Sequence, residues 1–295
     1  MEDIGSQQHI NHHDETVREE SKNTNMLKES MQEEDTTCTS KCVHRLRVQL
    51  TLKEVQDFGE WRLGNIYIWL TIRVFNAAYT TAILVWGIAI TARTVNGPWW
   101  PIYLTNWTLV LLTAYFWCAV SSTIVALRCQ NIVIEYTPNV FMVTWHLQNV
   151  CLGGTMAVFA LFWLLVYTGG TPRAWDVHAH GVNWVLMLCD RFFTKQPAYY
   201  IHFYQLQIYA LVYVLFSIIH NYSGIDNGAA DGTYIYKATD YKNHPEQYGV
   251  IVIIVTVILP AFHGFMVLWG KFGRYALSQS KRANKSRVEM SVEQH

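Results

Sequence analysis

The first 36 residues contain no aromatic side chain and no apolar run. A secretory signal needs a basic start followed by an apolar core, so none is expected here. A stretch this polar cannot bury enough apolar surface to order itself and reads as disordered. Cysteine is also scarce. Of six in the chain, Cys118, Cys129, Cys151 and Cys189 fall in or beside apolar stretches, where a thiol behaves as a small hydrophobe rather than part of a disulfide framework. Cys38, Cys42 and His44 stand in a polar tail and are too few for a closed zinc site; lipidation is another use for cysteines so placed. No metal is expected. HExxH, P-loop, GxSxG and paired-cysteine motifs are missing, which removes the common metalloprotease, nucleotide and serine-hydrolase readings, and no cofactor is implied. Net charge is missing too, with 22 basic and 22 acidic residues, but the zero is an average. Residues 1–60 hold 13 acids against seven Lys/Arg. No basic surface for nucleic acid results.

Between about residue 65 and residue 270 charges thin out and apolar stretches take over. A hydrocarbon core of about 30 Å needs roughly 20 apolar residues in helix, and such stretches recur: Val74 to Ala92, Ile102 to Leu127, Val140 to Tyr167, His178 to Phe193, Ile201 to His220 and Tyr248 to Gly270. Breakers separate them at Gly97-Pro98 and Pro101, at Pro138, at Gly169, Gly170 and Pro172, and at Pro197. Trp99, Trp100, Trp107, Trp175, Tyr199 and Tyr200 sit near the ends, as an aromatic belt does. The expectation is an all-α, six-helix transmembrane bundle over residues 65–270. A polar, largely disordered tail (residues 1–64) would precede it and a basic tail (residues 271–295) follow it.

The fourth stretch is short and polar, and five crossings would put the two tails on opposite sides. Charge decides. With six crossings, twelve Lys/Arg fall on the side of the tails (Lys53, Arg62, Arg73, Arg128, Arg191, Lys195 and the six after Gly270) and four, Arg93, Arg173, Lys237 and Lys242, on the other. That bias matches the positive-inside rule and puts both tails in the cytosol. Asn106-Trp107-Thr108 and Asn221-Tyr222-Ser223 are then glycosylation sequons near the opposite face.

Polar groups at membrane depth are costly and face the bundle interior. On a helical wheel at about 100° per residue, Asp176, His180, Asn183, Met187 and Asp190 fall within about 80° of one another, while His178 lies on the far side. Such a stripe either bonds neighbouring helices or lines a polar pocket. Topology puts Thr105, at the start of the second span, at the depth of His180, and a hydroxyl beside an imidazole is the arrangement of a nucleophile and its base. Asn183 would share that pocket, where its amide can steady an oxyanion. At the other end, Arg73 and Asp190 lie at one depth and are expected to pair.

Three stretches carry a resemblance. Trp99 to Thr108 (WWPIYLTNWT), His180 to Asp190 (HGVNWVLMLCD) and Thr233 to Tyr241 (TYIYKATDY), in this order relative to the spans, resemble the rolling-stone family of multi-pass membrane proteins, over about residues 99–270. The resemblance implies a cell-surface or endomembrane protein with a role such as myoblast-like cell–cell fusion. That family is in turn distantly similar to the androgen-induced family of six-span hydrolases, which cleave fatty acid esters of hydroxy fatty acids with a Thr and a His. The similarity implies Thr105 as nucleophile. Where those hydrolases carry His-Gly-x-His, this chain has His-Gly-Val-Asn. Asn183 therefore holds the position of the essential second His and cannot act as a base, and His180 is the residue left to substitute. Membrane lipids and a fatty acyl ester are the implied partners; lipid binding or transport is a further reading of the polar fourth segment.

Overall fold

The structure is a computed structural model and describes residues 57–58, 60–93, 97–128, 139–167, 169–228 and 232–293. The N-terminal tail, Cys38, Cys42, His44, Cys129 and Pro138 lie outside the described residues. Among those described, regular structure is all helical, apart from a single antiparallel bridge between Trp61 and Thr194. Six helices make the bundle: α1 (Ile66–Ala92), α2 (Leu104–Arg128), α3 (Asn139–Val166), α4 (residues 174–193), α5 (Phe203–Ser223) and α6 (residues 247–293). All but α4 are long and apolar enough to cross a membrane.

Local chemistry sets the ends. The Asn65 side chain caps α1, accepting from Tyr67 N at 2.9 Å and Ile68 N at 3.4 Å. α5 stops at Gly224, whose φ of 76° is the left-handed conformation that closes a helix. α1 begins eight residues before Val74, because Arg73, which looked like a boundary, is fully buried inside it. α6 runs on past Gly270 to Glu293, so the basic segment after the last span continues the helix. Its Lys, Arg, Ala and Gln residues are good helix formers, and no proline interrupts them.

The helices bury a shared interior and expose apolar faces outward, with Tyr67, Phe75, Ile88, Leu215, Ile219, Val252 and Leu268 among the exposed side chains. An apolar exterior of this extent suits lipid rather than water. α2 and α3 form the centre, with Leu112, Tyr115, Phe116, Cys151 and Leu152 wholly enclosed and Met187 of α4 against them. In lipid, helices associate through close packing rather than a hydrophobic drive, and small residues let backbones approach. At Gly153 of α3 an added Cβ would run into Leu206 and come 3.3 Å from the His263 backbone nitrogen, so glycine there brings α3 close to α6.

α4 needs a separate argument, since it is too polar to register as a span. His180 faces Thr105 of α2, and Asp190 accepts from the Tyr115 hydroxyl of α2 at 2.6 Å. Both contacts join residues 75 positions apart, so α2 and α4 run in the same direction, in step over ten residues. α4 then ends where α1 begins: Arg62 N donates to Phe193 O at 3.0 Å, and Lys195 N to Glu60 O at 3.3 Å. α6 passes the same spot, with Gly273 against Arg62 and the Phe192 carbonyl. Six passes follow, and the chain enters and leaves the bundle at one end. Protease-accessible tags on the two termini should therefore share one fate in sealed vesicles; digestion of one with protection of the other would exclude the six-pass path.

Both sequon asparagines are structural. Asn106 and Asn221 are buried, and their amides bond the Trp100 carbonyl at 2.6 Å and the Thr233 hydroxyl at 3.4 Å. Neither side chain is available to carry a glycan in this fold.

Candidate active site

The first turn of α2 is held by the segment before it. Gly97–Ile102 forms a tight 3₁₀ turn whose last three carbonyls each accept a hydrogen bond from a side chain. Asn106 Nδ2 donates to Trp100 O, Trp107 Nε1 to Pro101 O at 2.5 Å, and the Tyr213 hydroxyl to Ile102 O at 2.9 Å. Pro101 has no N–H to offer the turn, and its ring fixes the backbone that delivers the chain into α2. These bonds set the position of Thr105.

His180 comes from a widened turn of α4. Over His178–Val182 the helix takes π form, and Asn183 N–H reaches five residues back to His178 O. In an α-helix that N–H would bond Ala179 O. Here the Asn183 side chain takes its place, Nδ2 donating to Ala179 O at 3.0 Å. The opposite wall widens as well: α3 ends in a π turn at Phe162–Val166, and the Phe162 ring stacks flat on His180, centroids 3.5 Å apart and planes 4° off parallel. Trp175 meets the same imidazole edge-on at 5.9 Å. π turns inside α-helices cluster at functional sites.

The outcome is a pair. Thr105 Oγ1 lies 3.4 Å from His180 Nδ1, and both side chains sit among apolar and aromatic groups. Asn183 and Thr105 line one small cavity with Thr108, Leu112, Thr155 and Ala179. The space open to a water-sized sphere's centre there is about 10 Å³, room for about one water molecule. Asn183 Oδ1 is buried beside it without a partner. On the other side of Trp175 lies a larger hollow of about 250 Å³, lined by Trp86, Gly87, Ile90, Thr91, Arg173 and Ala174. Trp175 thus touches both His180 and this hollow. Arg173 at its rim forms a two-pronged pair with Asp176, at 2.9 and 3.2 Å. Asp176 and Met187 belong to the polar stripe, but Asp176 serves Arg173 and Met187 packs in the core. His178 turns away, bonding the Tyr79 hydroxyl of α1 at 2.5 Å.

The sequence stripe did not include Tyr236. The loop between α5 and α6 folds back over the end of the bundle, pinned by Asn221 Oδ1 accepting from Lys242 N at 3.0 Å and by Asn227 Nδ2 donating to Tyr234 O at 2.7 Å. This delivers the Tyr236 hydroxyl to Leu104 N, which donates to it at 3.1 Å, within reach of the Thr105 and Tyr213 hydroxyls. Burial pushes the Tyr236 phenol up to about 12, against the opposing effect of these hydrogen bonds. The hydroxyl stays protonated and able to donate. The residue's signal in the sequence was the aromatic-rich TYIYKATDY stretch. The three stretches WWPIYLTNWT, HGVNWVLMLCD and TYIYKATDY thereby meet at one point. Tyr236→Phe strands the half-buried Leu104 N–H and should cost about 1 kcal/mol, read as a lower melting temperature. Tyr222→Phe, on an exposed side chain, is the control and should stay within about 0.5 kcal/mol of wild type.

At the other end of α4, Arg73 Nε lies 3.9 Å from Asp190 Oδ1, both side chains fully enclosed. That spacing is an ion pair without a hydrogen bond. Arg73 spends its other nitrogens on Phe58 O and Thr123 Oγ1, each at 2.7 Å, on Ala119 O and Thr194 Oγ1 at 3.2 Å, and on Gln196 Oε1 at 3.4 Å. Its guanidinium also lies 4.8 Å over the Trp69 ring. Asp190 Oδ2 takes the Tyr115 hydroxyl. Among the described residues no group of three or more His, Cys, Asp or Glu is placed to hold a metal ion. Compared with protein-family models, curated proteins and solved structures, the chain gives no match.

Proposed function

We propose that this integral membrane protein is a hydrolase of fatty acyl esters, with Thr105 as nucleophile and His180 as its base. The observation that carries the reading is the 3.4 Å approach of Thr105 Oγ1 to His180 Nδ1 inside the bundle. An imidazole nitrogen at that range accepts the hydroxyl proton as the oxygen attacks. This needs the tautomer with its proton on Nε2, leaving Nδ1 free.

The steps balance on these groups. Thr105 Oγ attacks the ester carbonyl carbon while its proton passes to His180 Nδ1. The oxyanion formed takes hydrogen bonds from the second N–H of the Asn183 amide and from the Tyr236 hydroxyl. Collapse breaks the bond to the alcohol oxygen, which leaves with the proton from His180. Water then attacks the acyl-threonine, gives a proton to His180, and the fatty acid departs as that proton returns to Thr105. The one-water cavity between Thr105 and Asn183 suits the second half. The hollow behind Trp175 suits an acyl chain, entering between α1 and α4.

The convergence of all three rolling-stone-like stretches on Thr105 supports the resemblance to that family. The basic excess at the end where the chain enters and leaves supports a cytosolic location for both tails, and hence a site in the opposite leaflet. A second reading, a cell-surface or endomembrane protein acting in cell–cell fusion without chemistry, is favoured by the small size of the cavity that touches Thr105 directly. A fluorophosphonate probe separates them. The purified wild type should label and Thr105→Ala should not; fusion without chemistry requires no labelling and full cellular function in that variant.

A further inference from the structure

Guanidinium groups crowd the end of the bundle from which both chain ends leave. Arg62, Arg73 and Arg191 are buried there, and Arg274 lies near enough to repel Arg62 and Arg191. Two carboxylates face these four cations, Asp190 beside Arg73 and Asp57 beside Arg274. Glu60, the next acid, is held by Lys195. Positive charge is in excess in a place where water is scarce, and buried charge needs a counter-charge.

The surplus sits at one spot. Arg73 is consumed by five hydrogen bonds and Asp190, but Arg191 and Arg62 are not. Gly270 and Gly273 lie one turn apart on α6, and each is a notch holding a guanidinium. A Cβ at Gly270 would collide with Nε, Cζ and Nη2 of Arg191, and one at Gly273 would come 2.6 Å from Arg62 Nη1. Each arginine donates one hydrogen bond through Nη1, Arg191 to Gln196 O at 2.7 Å and Arg62 to Phe192 O. Nε and Nη2 of both, with Nε2 of Gln196, are buried without a partner. Nε and Nη2 are the fork that fits two oxygens of a phosphate or carboxylate. Burial, with Arg191 and Arg274 close by, pushes the Arg62 guanidinium down to about 9.

We propose that the seam between the end of α4 and α6 binds a phosphate-bearing anion, held by the unused forks of Arg191 and Arg62 with Arg274 at the rim. In the membrane the source is the headgroup of an anionic lipid. Leu268, Phe272 and Tyr275, beside the seam, are all exposed on the outward face of α6, where acyl chains would lie. Basic pockets between helices at this level are lipid-headgroup sites. The site is independent of Thr105 and His180, which lie at the opposite end of α4.

The test uses the full chain in a zwitterionic detergent, melted by tryptophan fluorescence with short-chain phosphatidic acid, short-chain phosphatidylcholine or inorganic phosphate added. Phosphatidic acid should raise the melting temperature by about 5 °C or more near saturation, and phosphatidylcholine should not. An equal rise with inorganic phosphate would uphold the anion site and assign it to a soluble ligand instead. Arg191 is wholly enclosed, so its loss tests folding as much as binding. Arg62→Gln and Arg274→Gln should each weaken the phosphatidic acid response by about five- to tenfold in concentration, the weight of one interfacial cation. No rise with either anion, or an unchanged response in both variants, overturns the proposal.

Discussion

Thr105→Val should abolish fluorophosphonate labelling of the purified protein, and His180→Phe should slow it by about 10²–10⁴-fold. Valine keeps the β-branched shape at the start of α2 and removes only the hydroxyl oxygen. Phenylalanine keeps a flat ring to stack on Phe162, where centroids now stand 3.5 Å apart, and removes the nitrogen that faces Thr105. Both variants should therefore fold, so lost labelling reports lost chemistry. Thr105→Ser keeps the nucleophile and should still label. Undiminished labelling of Thr105→Val would place the reactive group elsewhere. Full labelling of His180→Phe, with dependence on Thr105 retained, would make another group the base.

Arg73→Leu and Asp190→Leu should each destabilise the solubilised protein by about 3–5 kcal/mol, because each leaves a buried charge behind. Arg73→Leu strands Asp190 and frees the carbonyls of Phe58 and Ala119; Asp190→Leu strands Arg73 and the Tyr115 hydroxyl. The double variant should lose less than the two single losses combined, since neither partner then remains unpaired. Denaturation midpoints of the four proteins measure this. Strict additivity would mean that the five hydrogen bonds of Arg73, rather than Asp190, carry its charge.

The helical architecture was legible because a membrane demands long apolar stretches and allows few exceptions. α4 was legible only in part: its polar stripe could be placed on a wheel, but the apolar stretch was counted from His178, and the helix starts earlier, at Ala174, in a turn that carries Asp176. Thr105 and His180 could be paired by depth, since spans of known direction fix how far each residue lies from a face. Tyr236 could not be placed, because the path of the loop between α5 and α6 depends on contacts such as Asn221 with Lys242 that leave no periodic trace. Arg62 and Arg191 counted as flanking charge, the usual role of arginines at a span end. Only the notches at Gly270 and Gly273 reveal that they turn inward. The use of the sequon asparagines was not legible for a related reason, since a short motif records chemistry but not burial.

The widened turn at His178–Val182 also decides which changes of length α4 can absorb. A π turn holds one residue more than the α turn it replaces, so it is a local insertion whose effect ends where ordinary α geometry resumes at Asn183. Removing Gly181, where an added Cβ would touch nothing, lets the surplus collapse and leaves residues 183–193 in their old rotational phase. Removing Val185 instead turns everything after it by about 100° and swings Asp190 off Tyr115 and Arg73. The helix thus carries a built-in frameshift at the Thr105 end and a fixed frame at the Arg73 end. The geometry of the first can drift by one residue without disturbing the anchoring of the second.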